Sequence, residues 1–361
     1  MTELEKAREI INKADKEIAR IFEERMGAVK IVAEYKAAHG LPIFDAGREK
    51  VVIEKNTERI ENGELKGYFS QLLTSFIGVS KQYQESLLNG EKIAFCGVHG
   101  AFAETAAKKL FPYGRLQAYG DFAACCEAVE SGECSCCVLP VENSYAGEVG
   151  QVIDLMFDGS LTVSGVYNMP IKQNLLGVRG ADKAEIKKVI SHPQALMQCG
   201  EYIRAHGYET ESAENTAVAA KKAAQLGDKT VAAIGSSENA GLYGLDILES
   251  NINESAVNTT RFAVLSKNNE IVSGNDSFIL FFTVNDEVGA LAKAVNIICA
   301  HGFNMRVLRS RPVRSVPWQY YFYVEAQGDC ESDEAQKMLR ELAVCCEKLK
   351  LAGSFKDGKT I

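Results

Sequence analysis

The sequence has little proline, a single tryptophan and no long apolar run. Seven prolines and one tryptophan occur in 361 residues, and 24% of the residues are charged. This composition is ordinary for a globular chain and excludes collagen-like repeats and disordered proteins. No stretch approaches the roughly 18 apolar residues of a membrane helix. Because residues 1–7 are acidic, we expect no signal peptide and predict a cytoplasmic protein without a membrane partner.

An excess of positive charge is missing as well. Forty Lys and Arg residues oppose 48 Asp and Glu residues, for a net charge of −8, so no nucleic-acid partner is expected. Any anionic ligand must therefore be held by local groups. The eleven cysteines lack the two paired C-x-x-C units of a zinc site, and we expect reduced, buried thiols, no metal and no cofactor.

The length and the patterning predict three domains. Residues 1–89 contain only helical patterns, residues 91–267 alternate short apolar runs with helices, and residues 277–355 follow the β-α-β-β-α-β order of a ferredoxin-like unit. A polar segment, 271–276, separates the last two. In the first domain, a capping box formed by Thr2 and Glu5 begins a helix that ends near Gly40. Further helices are predicted from Asp45 to about Asn62 and over about 65–88.

The predicted strands of the second domain are 93–96, 137–141, 161–166, 188–190, 231–234 and 262–265. The third domain is predicted to contain strands 278–284, 305–311 and 320–325, helices 289–301 and 333–349, and a short final strand.

The first helix carries charges where its packing surface should be apolar. Its 3-4-3-4 seam consists of Arg8, Ile11, Asp15, Ile18, Phe22, Arg25, Val29, Val32 and Lys36. Buried unpaired cations are costly, so these groups need anionic partners. Arg25 and Lys36 lie within roughly 20° of one face, but Arg8 lies about 25 Å from Arg25. Arg8 can share a small ligand with Arg25 only across an antiparallel pair of subunits, so the seam indicates a homodimer or a higher homo-oligomer.

Polar residues on the other two helices also share faces. Asp45, Arg48 and Glu49 have i, i+3, i+4 spacing on the second helix, and Ser80 and Gln84 have i, i+4 spacing on the third. A salt-bridged bundle would explain this pattern, and so would a polar pocket for a small dianion. Such a pocket would act by positioning and electrostatics, because no nucleophile with its base is present.

The spacing of eight residues closely resembles that of the all-helical chorismate mutases, namely Arg8, Arg25, Lys36, Asp45, Arg48, Glu49, Ser80 and Gln84. In that family a domain-swapped helical dimer binds chorismate. The resemblance implies that Arg25, together with Arg8 from the other subunit, holds the two carboxylates, and that Lys36 and Gln84 donate to the ether oxygen. The two acids and the serine would surround the ring hydroxyl, with Arg48 in support.

Polar clusters follow the predicted strands of the second domain, and ligands gather at such strand ends in open α/β sheets. The clusters are Glu142-Asn143-Ser144, Ser191-His192-Pro193-Gln194 and Thr260-Arg261-Phe262. They closely resemble the V-P-x-E-N-S, S-H-P-Q and T-R-F motifs of the prephenate dehydratases. That family has two α/β lobes arranged like a periplasmic binding protein, and it converts prephenate to phenylpyruvate in the cleft between them.

The resemblance implies roles for several of these residues. Thr260 would protonate the leaving hydroxyl, assisted by Arg261 or by neighbouring dipoles. The cleft would be lined by Glu142, Asn143, Ser191 and Gln198, with residues 215–216 as a further pair. At the glycine-rich turn 97–101 the family usually carries Pro and Ser/Thr where this chain has Val98, Ala101 and Ala103. Two hydroxyls are thus missing, so a substrate contact there must come from backbone N–H groups. His192 fits a structural role better than that of a base.

The third domain resembles the ACT domains that follow prephenate dehydratases and bind phenylalanine across a dimer interface. The implied effector-binding residues are Gly289, Ala290, Leu291, Ser310, Arg311 and Pro312. The second motif normally reads E-S-R-P, and Arg309 reverses the charge of its first residue. The expected protein is therefore a bifunctional enzyme that acts on chorismate and prephenate and is inhibited by phenylalanine. Two alternatives are a dehydratase with a helical dimerisation arm and a non-catalytic ligand sensor.

Overall fold

The structure, a computed structural model, describes residues 2–39, 46–89, 91–112, 114–255, 257–267 and 274–361. The side chains of residues 37, 38, 46, 48, 82, 85, 86, 88 and 89 are outside this description, as is the first half, 271–273, of the predicted linker. The chain divides into two compact units, residues 1–91 and 92–361. None of the helices described combines the length and the apolar character that crossing a membrane requires.

The first unit is helical, as predicted, with α1 (Glu3–Ala38), α2 (Ala46–Thr57) and α3 (Lys66–Asn89). Both α1 and α2 pack against α3. The capping box forms, because Thr2 N donates to Glu5 Oε2 at 2.7 Å and Glu5 N donates to Thr2 Oγ1 at 3.2 Å.

Helix α2 is shorter than predicted. It ends at Thr57 and not near Asn62, because Asn62 caps a separate turn of 3₁₀ helix, accepting a hydrogen bond from Glu64 N at 3.0 Å.

The predicted seam of α1 is exposed along much of its length within one chain. Residues 2–21 are all exposed, and Ile11 and Ile18 keep 57% and 51% of their surface accessible. Among the described side chains of α1, Ala33 is the one that is buried against the rest of the unit. Large apolar side chains in a regular row are thus left uncovered at the start of α1.

The second unit begins with a lobe that contains β1 (Lys92–Cys96), α4 (Phe102–Leu110), β2 (Arg115–Tyr119), α5 (Phe122–Glu130), β3 (Cys136–Asn143), β4 (Gly147–Glu148), α6 (Gly150–Asp158) and β5 (Thr162–Pro170). A second lobe contains β6 (Asn174–Val178), β7 (Lys188–Ser191), α7 (Pro193–Gln198), α8 (Gly200–His206), β8 (Glu209–Ser212), α9 (Thr216–Leu226), β9 (Val231–Gly235), α10 (Ser237–Tyr243) and β10 (Leu245–Glu249). The chain then returns to the first lobe through β11 (Thr259–Ser266).

Each lobe is built on its own sheet. In the first, the strands run β5-β11-β3-β1-β2, and in the second they run β10-β6-β9-β7-β8. Two segments connect the lobes and hydrogen-bond to each other, since Ile252 N donates to the Gln173 carbonyl at 2.9 Å. The predicted two-lobed α/β domain is confirmed.

The chain ends in a ferredoxin-like module, with β12 (Ser277–Thr283), α11 (Ala290–Ala300), β13 (Asn304–Pro312), β14 (Tyr320–Gln327), α12 (Asp333–Cys345) and β15 (Lys348–Phe355). The strand order β13-β14-β12-β15 confirms the predicted β-α-β-β-α-β topology. Helix α12 ends four residues earlier than the predicted Leu349, because Leu349 pairs with Phe282 in the sheet.

The ferredoxin-like module and the first lobe share one hydrophobic core. Strand β15 meets β5 where Gly353 pairs with Val163, which joins their sheets. Phe281, Tyr323 and other aromatic residues of the module are buried in the same cluster as side chains from β3 and α6. Tyr321 stacks on Phe157 of α6 with 4.1 Å between ring centroids. The two sequence domains are therefore one packed body.

Candidate active sites

A cavity of about 200 Å³ lies among the three helices of the first unit. Its lining consists of Arg25, Val29, Val32, Lys36, Glu49, Val52, Ile77, Ser80, Lys81 and Gln84. Five of these residues were predicted from the sequence, and the valines and the isoleucine supply apolar walls. Of the other predicted residues, Asp45 and the side chain of Arg48 lie outside the described part of the chain.

Helix α3 fixes the orientation of Arg25. The Arg25 guanidinium donates to the Ser80 hydroxyl, which itself donates to the Phe76 carbonyl at 2.6 Å. The guanidinium carbon also lies 5.9 Å from the centre of the Phe76 ring, at cation–π distance. No described carboxylate pairs with Arg25, so its charge is available to a ligand.

Lys81 is a cavity residue that the sequence analysis missed. Its Nζ lies 2.6 Å from Glu49 Oε1, which joins α3 to α2. The described lining then holds three cations, Arg25, Lys36 and Lys81, against the one carboxylate of Glu49, for a net charge of +2. Gln84 is 8% exposed, and its Oε1 has no hydrogen-bond partner among the described residues. The cavity is therefore suited to a dianion that also offers a hydrogen-bond donor.

Arg8 lies away from this cavity. It is exposed on the same helix, 17 residues before Arg25 and thus roughly 25 Å distant. Within one chain Arg8 therefore does not meet the other predicted residues, which agrees with the separation expected from helix geometry.

A second cavity, of about 230 Å³, lies between the two lobes of the second unit. Its lining consists of Ala101, Phe102, Asn143, Ile171, Gln173, His192, Gln194, Ala195, Gln198, Glu214, Asn215, Thr216 and Thr260. The predicted residues Asn143, Gln198 and Thr260 meet there, as does the pair 215–216. The described residues contain no group of three or more His, Cys, Asp or Glu side chains arranged to hold a metal ion.

Asn143 orients the hydroxyl of Thr260. The two residues are opposite each other in the β3–β11 ladder, and Asn143 Nδ2 donates to Thr260 Oγ1 at 3.0 Å. The amide cannot turn over, because Asn143 Oδ1 accepts hydrogen bonds from Tyr145 N at 3.0 Å and Ala146 N at 2.9 Å. With its oxygen accepting from Asn143, Thr260 keeps its own proton for a ligand.

The described lining of this cavity contains no Lys or Arg. Positive electrostatic potential comes instead from the N-termini of helices. Phe102 begins α4, and Thr216 begins α9 after its N-cap, Asn215, whose side chain accepts a hydrogen bond from Val218 N at 2.8 Å. His192 caps the short helix α7, with Nδ1 accepting from Gln194 N at 3.2 Å. Burial lowers the pKa of His192, so the ring is neutral and carries its proton on Nε2. These helix ends favour a bound anion.

Gln173 is a second residue that the sequence analysis missed. It lies in a segment that connects the lobes, is 2% exposed, and donates through Nε2 to Gln198 Oε1 at 3.3 Å. Its Oε1 has no partner among the described residues. It directly precedes β6, and no spacing along one element of the sequence singled it out.

Three residues predicted to serve this site lie elsewhere. Ser191 is fully buried and donates to the Ile234 carbonyl at 2.7 Å, so it joins two strands beneath the cavity. Glu142 and Arg261 lie on the opposite face of the sheet from Asn143 and Thr260, because neighbouring side chains of a strand point to opposite faces. The expected assistance from Arg261 to Thr260 is therefore wrong as a direct contact.

The glycine-rich turn brings the lobes close together. Gly100 has a φ of +91°, and an added Cβ would collide with Asn239 Oδ1 of α10, so glycine is required for two reasons. The N–H groups of residues 97, 100 and 101 already have acceptors within the chain, including Glu104, which accepts from Gly100 N at 2.7 Å. These three groups are thus unavailable to a substrate, and a backbone contact here would have to come from other N–H groups of the turn or of the start of α4.

A third cavity, of about 430 Å³, lies in the ferredoxin-like module. Its lining includes Ala290 and Leu291 of the predicted effector set, together with Val284, Asn285, Asp286, Glu287, Val316, Pro317, Trp318, Gln319, Tyr320, Phe322 and Glu347. Gly289, with a φ of +84°, caps α11 directly before them. Ser310 and Pro312 are exposed on β13.

Arg311 faces the first lobe. Its Nε donates to Asp154 Oδ1 at 2.8 Å and its Nη1 to Glu148. Burial raises the pKa of Asp154, but the hydrogen bonds from Arg311 and Tyr321 and the nearby positive charges outweigh burial and hold that pKa below its ordinary value. Arg311 thus connects the module to α6, which its place in the motif did not indicate.

The architecture defines a multidomain enzyme with a cationic helical cavity, an interlobe cleft containing an oriented threonine, and a ferredoxin-like module. The chorismate mutase type II family model matches residues 7–85, and the prephenate dehydratase family model matches residues 93–270. The chain is 31% identical over 367 residues to the bifunctional chorismate mutase/prephenate dehydratase of Aquifex aeolicus, covering 98% of each protein. It is 30% identical to that of Escherichia coli K12, covering 96% of this chain and 95% of the relative.

The chain belongs to the family of bifunctional chorismate mutase/prephenate dehydratases. It rearranges chorismate to prephenate, and it dehydrates and decarboxylates prephenate to phenylpyruvate. The crystal structure of a prephenate dehydratase from Arthrobacter aurescens in complex with L-Phe shares the fold, with a TM-score of 0.67 and 24% identity over 73% of this chain and 89% of that one. Both predicted activities are confirmed, and the two alternatives, a dehydratase alone and a non-catalytic sensor, are wrong.

Proposed function

We propose that the helical cavity accelerates the mutase step by charge and shape alone. The observation that carries this proposal is the net charge of +2 on the described lining. Arg25 holds one carboxylate of chorismate, while Lys36 Nζ and Gln84 Nε2 donate to the ether oxygen, where negative charge develops as the bond breaks. Glu49, Ser80 and Asp45 surround the ring hydroxyl, and Arg48 supports them.

Arg8 of a second copy of the chain completes this cavity in an antiparallel dimer. The exposed row at the start of α1 supports the proposal, since Ile11 and Ile18 are more than half accessible in one chain. Covering such a row is a strong driving force for association. The dimer would place each Arg8 in the cavity of the other copy.

Thr260 is the acid of the dehydratase step. Its proton passes to the ring hydroxyl of prephenate, which leaves as water. The electron pair of the breaking bond to CO₂ completes the aromatic ring, so no oxidant is needed, and Thr260 regains from solvent the one proton that each turnover consumes. The Asn143 contact at 3.0 Å supports this role, because it directs the threonine proton away from Asn143.

The remaining cavity residues bind prephenate. Its carboxylates lie at the helix N-termini near Phe102 and Thr216, and Gln198 lines the cleft. The ring hydroxyl is the hydrogen-bond donor of the substrate, and Gln173 Oε1, which lacks a described partner, accepts from it. Ser191, Glu142 and Arg261 support the strands from behind.

Phenylalanine inhibits the enzyme by binding to the ferredoxin-like module, which acts as an ACT domain. The 430 Å³ cavity at the start of α11 supports this role, because a helix N-terminus suits a carboxylate and Trp318 offers an aromatic wall. The complex of the Arthrobacter relative with L-Phe supports the choice of ligand. Gly289, Ala290 and Leu291 lie at the effector, whereas Arg311 contacts the first lobe and Ser310 and Pro312 are exposed on β13, outside the described lining of this cavity.

One assay tests the scheme. The pure protein is supplied with chorismate, and prephenate and phenylpyruvate are followed with and without phenylalanine. We expect prephenate to appear first, phenylpyruvate to follow, and phenylalanine to reduce the second product. Phenylpyruvate formation that phenylalanine leaves unchanged would contradict the effector role while leaving both activities intact.

A further inference from the structure

The strands β3 and β11 carry a second pair of side chains on the face away from the interlobe cavity. Arg261 lies opposite Glu142, one position from the Thr260–Asn143 pair, and its Nη1 lies 3.4 Å from Glu142 Oε2. Because side chains alternate between faces, this ion pair lies directly behind the residues that face the cleft. Any shift of Glu142 moves the backbone that holds Asn143.

The ferredoxin-like module extends this ion pair. Arg309 of β13 donates to Glu142 Oε1, and Glu325 of β14 accepts from both terminal nitrogens of Arg261, at 2.9 and 2.8 Å. The exposed fractions of the four side chains are 24% for Arg309, 25% for Glu142, 18% for Arg261 and 6% for Glu325. We call this alternating row of two cations and two anions the rear charge network.

Arg309 reduces the repulsion between two carboxylates at the end of β3. In the β3–β4 ladder Glu142 lies opposite Glu148, and carboxylates in opposite positions repel each other. The Arg309 guanidinium contacts Glu142 and also lies 3.7 Å from Glu148 Oε2. Without it, Glu142 would keep only the longer contact to Arg261, whose nitrogens Glu325 already holds.

The end of β3 depends on such side-chain contacts. The β3–β11 ladder changes register between Arg261 and Phe262, so regular pairing is interrupted directly beside the Arg261–Glu142 pair and one position away from Asn143 and Thr260. Glu148 has a second partner in Arg311, and the loss of Arg309 would therefore act mainly on Glu142. A small displacement there would change the Asn143–Thr260 contact, and a displacement of about 1 Å in an active site can cost a hundredfold in rate.

We infer that Arg309 is a positioning residue for the dehydratase. From the ferredoxin-like module it holds Glu142, and through the backbone of β3 it keeps Asn143 in place to direct the Thr260 hydroxyl. The inference rests on the proposed role of Thr260. It also gives a physical reason for a basic residue where the related motif has an acid, since an acid would face both Glu142 and Glu148.

Substitutions at position 309 test this role. Arg309→Gln should lower the dehydratase kcat about tenfold with KM changed less than about twofold, and Arg309→Glu should lower kcat about a hundredfold. Arg309→Lys retains the charge and should stay within about threefold of the wild type. The matched control is Arg306→Gln on the same strand, because Arg306 pairs with Asp357 within the module. Mutase kcat, measured on the same samples, should not change.

Several results would overturn the inference. They are a wild-type dehydratase kcat in Arg309→Gln, an equal loss in Arg306→Gln, or a loss that Arg309→Lys does not recover and that follows a lower melting temperature. The acid assignment is tested separately. If Thr260→Ala stayed active, Thr260 would lose its role, whereas the comparison of Arg309→Gln with Arg306→Gln would still decide whether Arg309 controls kcat.

Discussion

Asn143 donates to Thr260 across two antiparallel strands, with 3.0 Å between Nδ2 and Oγ1. This direction of the hydrogen bond determines what Thr260 can do. A hydroxyl whose oxygen already accepts is left with its proton to give. The same contact also explains why both residues belong to one site although 117 positions separate them in the chain.

Replacement of Thr260 by alanine should nearly abolish phenylpyruvate formation. General acid catalysis contributes about 10² to 10⁴ in rate, so we expect kcat to fall by at least about a hundredfold while the mutase step continues. Thr259→Ala is the matched control, because Thr259 is the neighbouring threonine and donates to the Val257 carbonyl at 3.2 Å. Stopped assays with prephenate as substrate measure the effect, and a fully active Thr260→Ala enzyme would refute the acid.

Arg25→Ala and Arg8→Ala should each abolish mutase turnover and spare dehydration. If Arg8 acts in the cavity of the other copy, a mixture of the two variants forms heterodimers with one intact site. After subunit exchange, mutase activity should return to roughly a quarter of the wild-type value. Arg20→Ala is the control, since Arg20 lies on the same helix and pairs with Glu17 and Glu24 on the surface. No recovery in proven heterodimers would exclude sharing of the site.

Gln173→Leu should weaken the dehydratase. The substitution removes the acceptor proposed for the ring hydroxyl, and one lost hydrogen bond to a buried partner costs about 1–3 kcal/mol, or roughly 5- to 150-fold in kcat/KM. Lys172→Ala, at the exposed neighbouring position, should have no effect. Initial rates over a range of prephenate concentrations decide between them, and equal values for both variants would remove Gln173 from the site.

Asp154→Asn should destabilise the second unit at neutral pH by roughly 3 kcal/mol, the usual cost of breaking a buried ion pair. The folded state holds the pKa of Asp154 below its ordinary value. Its stabilisation is thus present above the unfolded pKa, near 3.9, and lost as the pH falls through the folded value. The difference in melting temperature between the two proteins should therefore shrink below about pH 4.

Asp158→Asn, at an exposed position on the same helix, is the control for that measurement and should melt like the wild type. A difference between Asp154→Asn and the wild type that stayed constant down to pH 2 would show that the charge of Asp154 is not what stabilises the contact with Arg311.

Phenylalanine should change the fluorescence of Trp318. This is the one tryptophan of the chain, it is 90% exposed, and it lines the cavity of the ferredoxin-like module. Burial against a bound ring should shift its emission to shorter wavelength, with a midpoint that matches inhibition of the dehydratase. D-Phenylalanine is the control ligand. Inhibition without any change in emission would place the effector elsewhere.

Much of the fold follows from local pattern. Apolar runs such as 231–234 became buried central strands, and the capping box at Thr2 formed as predicted. Strands β2, β4, β6, β8 and β10 were missed. Of these, β2, β8 and β10 are edge strands with exposed residues that hide the apolar alternation, whereas β6 is a buried inner strand. Helix α12 was extended too far, since its final residues gain more from pairing with β12 than from another helical turn.

The sites were predictable where spacing along one element fixes them. Arg25 and Lys36 share a helix face, and they line one cavity. Contacts between distant segments carry no such signal, so Gln173 and the ion pair of Lys81 with Glu49 were missed. Arg261 was assigned to the wrong face of its strand, although the twofold alternation of strand side chains contains that information.

The shared core of the first lobe and the ferredoxin-like module decides how the protein can be divided. A cut after residue 91 follows the boundary between compact units. A cut at residue 276 would remove Phe281, Tyr321, Tyr323 and Phe355 from the hydrophobic core that they fill. The truncated fragment would expose a hydrophobic surface and aggregate. Loss of phenylalanine inhibition in such a fragment would therefore result from damage to the dehydratase lobes. It would not show that a separate regulatory domain had been removed.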